Sequence, residues 1–211
     1  MNNNHTTTPQ SKQTIDSLWR LEKIILDTLN FKDVVQRICD SVLSELGYLQ
    51  LGYRIVVLAL IDESTNVLKR ISISQTPEAQ KALEITPVPF QNIDIPMNYS
   101  ENICIKAIEE SKPYVTHDWK DILLPSYNNE EARKIQEIIG IHTSVVYPIT
   151  YHGKSRGVMI FSMVKSEEEM SEEEKDLIRG YTDVVGIAVQ NARLYSDLEE
   201  TSKRLDEANK K

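Results

Sequence analysis

The stretch TSVVYPITYHGKSRGVMIFSMV, residues 143–164, decides the fold. Two runs rich in β-branched and large apolar residues flank the polar turn HGKS, which predicts an antiparallel hairpin. The second run, GVMIFSMV, is apolar at both parities, so the sequence leaves open which face of the strand points to which layer.

Reading downstream, Ser171 with Glu174 three residues on forms a capping box that sets the start of a helix. Apolar or small residues then recur at alternating steps of four and three: Leu177, Tyr181, Val184, Ala188, Asn191, Tyr195, Leu198, Ser202, Leu205 and Asn209. This is a heptad seam. A second stripe, Ile178, Val185, Val189 and Ala192, widens the apolar face in the first half, which can therefore pack on its own sheet and on something else. Beyond Tyr195 only the narrow seam remains. No proline, no glycine after Gly186 and no C-cap interrupts the run to Lys211. A continuous helix from Ser171 would be roughly 60 Å long, against roughly 35–40 Å for a domain of this size, so roughly 25 Å should project. Glu199 with Lys203 and Glu200 with Arg204 add little to such a rod, which predicts a parallel dimer of this helix with its own copy.

Upstream, YRIVVLALID and NVLKRISIS read as a hairpin across ESTN. PEAQKALEI, SENICIKAIEESK (with Ser100 as cap) and NNEEARKIQEIIG read as helices, and PYVTHD as a short strand. FQNIDIP is expected to be irregular because of its prolines, and these intermediate pieces to lie over the sheet rather than in it. Two helices precede the sheet: one from Thr14 with Leu18, Leu21, Ile25 and Leu29, the next from about Lys32 to Gly47 with Val35, Cys39, Val42 and Leu46 on its core face. Residues 1–13 read as a disordered lead-in without the features of a secretory signal.

The 211 residues, 40% hydrophobic and 27% charged, fit one domain with appendages. The longest apolar run, Ile55 to Ile61, is far short of a membrane span. A net charge of −8 and the lack of a basic stripe argue against nucleic acid as a partner. Two distant cysteines, Cys39 and Cys104, suggest neither a disulfide framework nor a metal site, and a reducing cytoplasm is the expected compartment. No nucleophile triad, phosphate loop or paired metal-type histidines is present, so no catalytic residue is assigned. The acidic residues Glu167–Glu169 and Glu172–Glu174 are read as complementing a helix N-terminus rather than as a cation site.

Together, SVVYPITYHGKSRGVMIFSMV and MSEEEKDLIRGYTDVVGIAVQNARLY resemble the C-terminal half of a GAF domain. LDTLNFKDVVQRICDSVLSELG and PMNYSENICIKAIEESKPYVTHDW are similar to that family's opening helix and mid-domain helix and strand, so the resemblance runs from about Asn30 to Tyr195. It implies an α+β fold: a central antiparallel sheet of about six strands, terminal helices bundled on one face, short helices over a small-molecule pocket on the other. The implied division is a GAF domain over 14–195 and the start of a coiled-coil signalling helix over 196–211. The implied role is a sensory input module of a bacterial signalling protein, foremost a two-component histidine kinase, homodimeric through its N- and C-terminal helices and followed by a covalently linked output domain.

The resemblance also frames the site. Tyr99, Ile103, His117, Asp118, Trp119, Tyr127 and Tyr147 are expected around the pocket, either holding a small ligand or closing the sheet's open face. Val164, Lys165 and Met170 depart from the residues used by cyclic-GMP-binding members, the segment 118–142 has no cysteine for a bilin, and a lone His117 or His142 is thin support for haem. The cofactor is left unknown. Asn191 is expected either to set dimer register or to bond within the domain. Two alternatives stand beside the sensor: a purely structural dimerisation module, and a redox enzyme like the free methionine sulfoxide reductases, for which Cys39 and Cys104 offer no resolving pair.

Overall fold

The computed structural model describes residues 51–209 continuously, with 33, 36, 37, 39–41 and 44 upstream, all helical. The helix expected from Thr14 and the lead-in 1–13 lie outside the described residues. Six strands form one antiparallel sheet: β1 (Tyr53–Asp62), β2 (Val67–Ile73), β3 (Asp94–Pro96), β4 (Tyr114–Thr116), β5 (Thr143–Tyr151) and β6 (Lys154–Met163), in the order β3-β2-β1-β6-β5-β4. The helices are α1 (Pro77–Ile85), α2 (Ile103–Glu110), α3 (Lys120–Leu123), α4 (Asn129–Ile139) and α5 (Glu172–Asn209), with 3-10 turns at Phe90–Asn92 and Glu167–Glu169. This is the α+β architecture that the resemblance implies.

The deciding hairpin forms β5 and β6, and its turn is tighter than expected. Tyr151 pairs with Lys154, leaving His152 and Gly153, both at positive φ (48° and 72°). That geometry matches the right-handed twist of the flanking strands. Gly157 sits where β6 meets β1 most closely; a Cβ there would lie 2.2 Å from the Ala59 carbonyl oxygen.

Both faces of the sheet are covered, which resolves the parity of GVMIFSMV. Met159, Phe161 and Met163 join Tyr147, Ile149, Val56 and Leu58 in a core against α5, whose Ile178, Tyr181, Val185, Ala188 and Val189 are buried. Each buried Val, Leu, Ile, Met or Phe side chain among them contributes about 1.5–3 kcal/mol by leaving water. Val158 and Ile160 face the other way, into a second core with α1, α2, α3 and α4. Upstream, Cys39 lies in the α5-side core as its helical period predicts, and Gln36 fastens that helix to β2 by donating to the Ile73 carbonyl (2.8 Å) and accepting from the Ser72 hydroxyl (2.7 Å).

Two local expectations need correction. FQNIDIP is not wholly outside the sheet: Asp94–Pro96 pairs with Val67–Lys69 as edge strand β3, where prolines are tolerated because one side of the ladder is unpaired. The cap of α2 is Asn102, not Ser100. Its side chain accepts from Cys104 N (2.9 Å), and its amide donates to the Leu124 carbonyl (2.8 Å). Ser171 and Glu174 do form the expected reciprocal box, and Glu174 also pairs with Lys165 at 2.6 Å, tying the end of β6 to the start of α5.

Candidate functional site

On the sheet face away from α5 lies a cavity of about 60 Å³. Its floor is the sheet: Ile55 and Val57 of β1, Arg70 and Ile73 of β2, Ile160 and Ser162 of β6. Its walls are Ala82 and Leu83 of α1 with Thr86 after them, Phe90 and Ile93, the Trp119–Leu123 segment, Tyr127, and Ile135 of α4. The elements are in place because their caps hold them there. Thr76 caps α1, accepting from Ala79 N while donating to the Arg54 carbonyl of β1, and Asn128 with Glu131 forms a capping box on α4.

The polar groups on the wall are largely bonded to the protein itself. Trp119 donates its indole N–H to the Ser144 hydroxyl (3.1 Å), which is 2.7 Å from the Ser162 hydroxyl, and its backbone N–H to Gln136 Oε1 (2.8 Å). Gln136 in turn donates to the His117 and Ile141 carbonyls. Tyr127 donates to the Val88 carbonyl and Thr86 to that of Leu83. Arg70 is the exception. It is 5% exposed, and its Nη2 donates to the Ile122 carbonyl at 2.6 Å, but Nη1 is buried without a hydrogen-bond partner. Among the described residues no carboxylate pairs with it.

Of the residues expected around the pocket, Trp119 and Tyr127 line the cavity. Ile103 is buried in the same core without reaching the wall, and Tyr99 bonds to Glu101 outside it. His117 is exposed, 3.2 Å from Glu167 and 3.4 Å from Thr143. Asp118 accepts from Lys120 N and Arg133 Nε; burial opposes its ionisation, but these two donors outweigh it and hold its carboxyl below the usual range. Tyr147 is a correction: it lies on the opposite face, edge-on to Phe161 at 6.1 Å, because its parity in β5 matches Val145 and Ile149 rather than Val146. The sequence reading missed Arg70, Ser162 and Phe90. For Arg70 a signal existed, since two adjacent cations, Lys69 and Arg70, inside an alternating strand force one of them inward.

The thiols occupy different layers. Cys39 is in the α5-side core, where burial pushes it up to about 12. Cys104 is in the cavity-side core, also raised by burial although the nearby Arg70 charge draws it part of the way back. Among the described residues there is no cluster of three or more metal-type ligands, and no helix is long and apolar enough to cross a membrane.

The expected dimer helix also needs redrawing. Tyr181 and Ala188 are fully buried on the domain's own sheet, Leu177 and Val184 partly so, and Asn191 is half-buried. The exposed apolar residues are Ile187, Leu194, Tyr195, Leu198 and Leu205, at 49–64% exposure. Thus the column Tyr181, Ala188, Tyr195 begins inside the domain, and the outward stripe runs instead through Ile187, Asn191, Leu194, Leu198 and Leu205.

Comparison with known proteins agrees with this geometry. The sequence profile of the GAF domain matches residues 28–190. The fold is similar to the GAF domain of an Acinetobacter phosphoenolpyruvate-protein phosphotransferase (TM-score 0.61, 12% identity, covering 85% of this chain and 94% of that one). It is also similar to residues 122 to 287 of a methyl-accepting chemotaxis protein (0.57, 15%, 84% and 97%). A third is free methionine-R-sulfoxide reductase from Neisseria meningitidis, in complex with its substrate (0.59, 13%, 90% and 95%). Among curated proteins the chain has no significant match. With the profile spanning most of the chain, and with a six-stranded sheet between a long terminal helix and a lidded cavity, this protein belongs to the GAF domain family.

Proposed function

We propose that this GAF domain is a sensory input module, in which the state of the cavity biases a paired C-terminal helix that carries the signal to an output domain, foremost a cytoplasmic histidine kinase. The observation that carries the reading is α5. Its first half is buried on the sheet through Ile178, Tyr181, Val185, Ala188 and Val189, and its second half leaves the domain with an exposed apolar stripe. α5 packs chiefly on β5, next to β6 in the sheet, and β6 links the two layers: its Ile160 and Ser162 line the cavity while its Met159 and Phe161 lie in the core shared with the helix. A rearrangement on one face therefore has a short path to the other, by a small shift of packed elements.

The chain itself is read as non-catalytic. Both thiols are buried on opposite faces of the sheet and raised in pKa, which disfavours the thiolate that reductase chemistry uses. The competing reading, a module that only dimerises, is favoured by the small cavity whose wall polar groups are mostly bonded to one another. The experiment is a one-residue insertion between Ser196 and Asp197 in the full-length protein, with output activity as readout. The insertion rotates everything downstream by about 100° and is expected to change output regulation. Unchanged regulation would sink the signalling-helix reading.

A further inference from the structure

Resting on the cavity as the sensory site, we infer that its ligand is one small, neutral, apolar molecule of gas size, held by dispersion and hydrophobic contacts. Protein interiors leave few spaces larger than a water molecule. This one, at about 60 Å³, is several times the roughly 10–15 Å³ that a water needs, yet its surface is almost wholly carbon. The polar side chains that reach the wall are already engaged with the protein. Thr86 donates to the Leu83 carbonyl, Tyr127 to that of Val88, Trp119 to the Ser144 hydroxyl, and Ser162 is bonded to Ser144. Arg70 Nη2 is bonded to the Ile122 carbonyl, and its Nη1 is enclosed, with no surface open to the space. A water there lacks the two to four polar partners it requires.

Size and chemistry narrow the occupant. An apolar cavity of roughly 150 Å³ takes up benzene or xenon, and on the same scale about 60 Å³ admits about two or three heavy atoms. A charged or strongly polar molecule of that size would lose its hydration with nothing in exchange. An apolar one gains contacts with Ile55, Ile93, Ile135 and Ile160 and with the rings of Phe90 and Trp119. Ala82 of α1, the smallest residue of the wall, is what keeps the space open, because a longer apolar side chain there would fill it. Leu83, Thr86 and Phe90 are only half-buried and mark the rim by which a small molecule enters.

The test records amide and methyl NMR spectra of the 211-residue chain under xenon, ethylene or dioxygen pressure, against helium at the same pressure. Saturable changes confined to the cavity wall are expected for xenon and for at least one of the other two gases. The tighter of ethylene and dioxygen identifies the natural source as a light hydrocarbon or a diatomic gas. Methanol, equally small but polar, should bind at least about tenfold more weakly than xenon, and benzene should not enter. Ala82→Leu fills the space and should abolish xenon binding. If Ala82→Leu fails to fold, the comparison of xenon with methanol and benzene in the unaltered chain still decides. No saturable xenon site at the wall, retention of xenon by a folded Ala82→Leu chain, binding of neither ethylene nor dioxygen, or methanol or benzene bound as well as xenon would overturn the assignment. Saturation of the wall with unchanged hydrogen exchange along α5 would uphold the ligand and count against the sensory reading, so the two fail separately.

Discussion

At the scale of single residues, the cavity is organised by a short chain of hydrogen bonds from Gln136 through Trp119 to Ser144 and Ser162. Trp119→Phe keeps the ring packing and removes the indole donor. It should lower stability by about 1–2 kcal/mol in chemical denaturation, with the fold unchanged by circular dichroism. Asp118 permits a signed pH prediction. Its folded pKa is depressed, so its contribution is present above the unfolded value of about 4 and is lost as pH falls through the folded one. The difference in melting temperature between the unaltered chain and Asp118→Asn should therefore be full above about pH 5 and shrink as the pH is lowered below about 4. Cys39 shows the opposite displacement, a thiol pushed up to about 12. Neither cysteine should react with an alkylating reagent at pH 8 in the native protein, and both should react after denaturation.

At the scale of elements, two contacts control how the layers meet. Asn102 both caps α2 and tethers the Leu124 carbonyl, so Asn102→Ala should cost about 2 kcal/mol and loosen the α3 wall of the cavity, measurable as faster amide exchange there. At Gly157 a side chain has no room, since backbone atoms of Ala59 and Leu60 lie 2.2 and 2.9 Å from its Cβ position. Gly157→Ala must separate β1 from β6 and should destabilise by about 2–3 kcal/mol or more in urea unfolding. The hairpin of β5 and β6 and the capping box of α5 were legible because each is a local pattern with a local cause. Edge strand β3 was not. Three residues that end on Pro96 carry no period, and only pairing with Val67–Lys69 makes them a strand. The cap of α2 was misassigned because Ser100 and Asn102 are both good caps, and only Asn102 also meets the Leu124 carbonyl.

At the scale of the molecule, the exposed stripe of α5 places Asn191 at the same heptad position as Leu198 and Leu205, and Ile187 at the same position as Leu194. In the proposed parallel dimer Asn191 fixes register. Leu198→Asp with Leu205→Asp should shift the chain from dimer to monomer in sedimentation equilibrium without changing the melting of the globular part. Asn191→Leu should tighten association while admitting other oligomeric states.

What the sequence by itself determined is the set of elements and their family: a hairpin, a capped helix with a heptad, a mid-domain helix and strand, all consequences of short-range periodicity and capping chemistry. What only the tertiary structure decided is direction. Ile187 and Ala188, like Leu194 and Tyr195, are neighbours on a helix, and either column completes a heptad with Asn191 and Leu198. The sheet buries Ala188 and leaves Ile187 outside, and that choice rotates the seam by one residue. In the same way a strand apolar at both parities has no inherent inside. Tyr147 turned from the cavity and Arg70 turned into it because α5 covers one face and the short helices the other, and a side chain two residues along a strand returns to the same face.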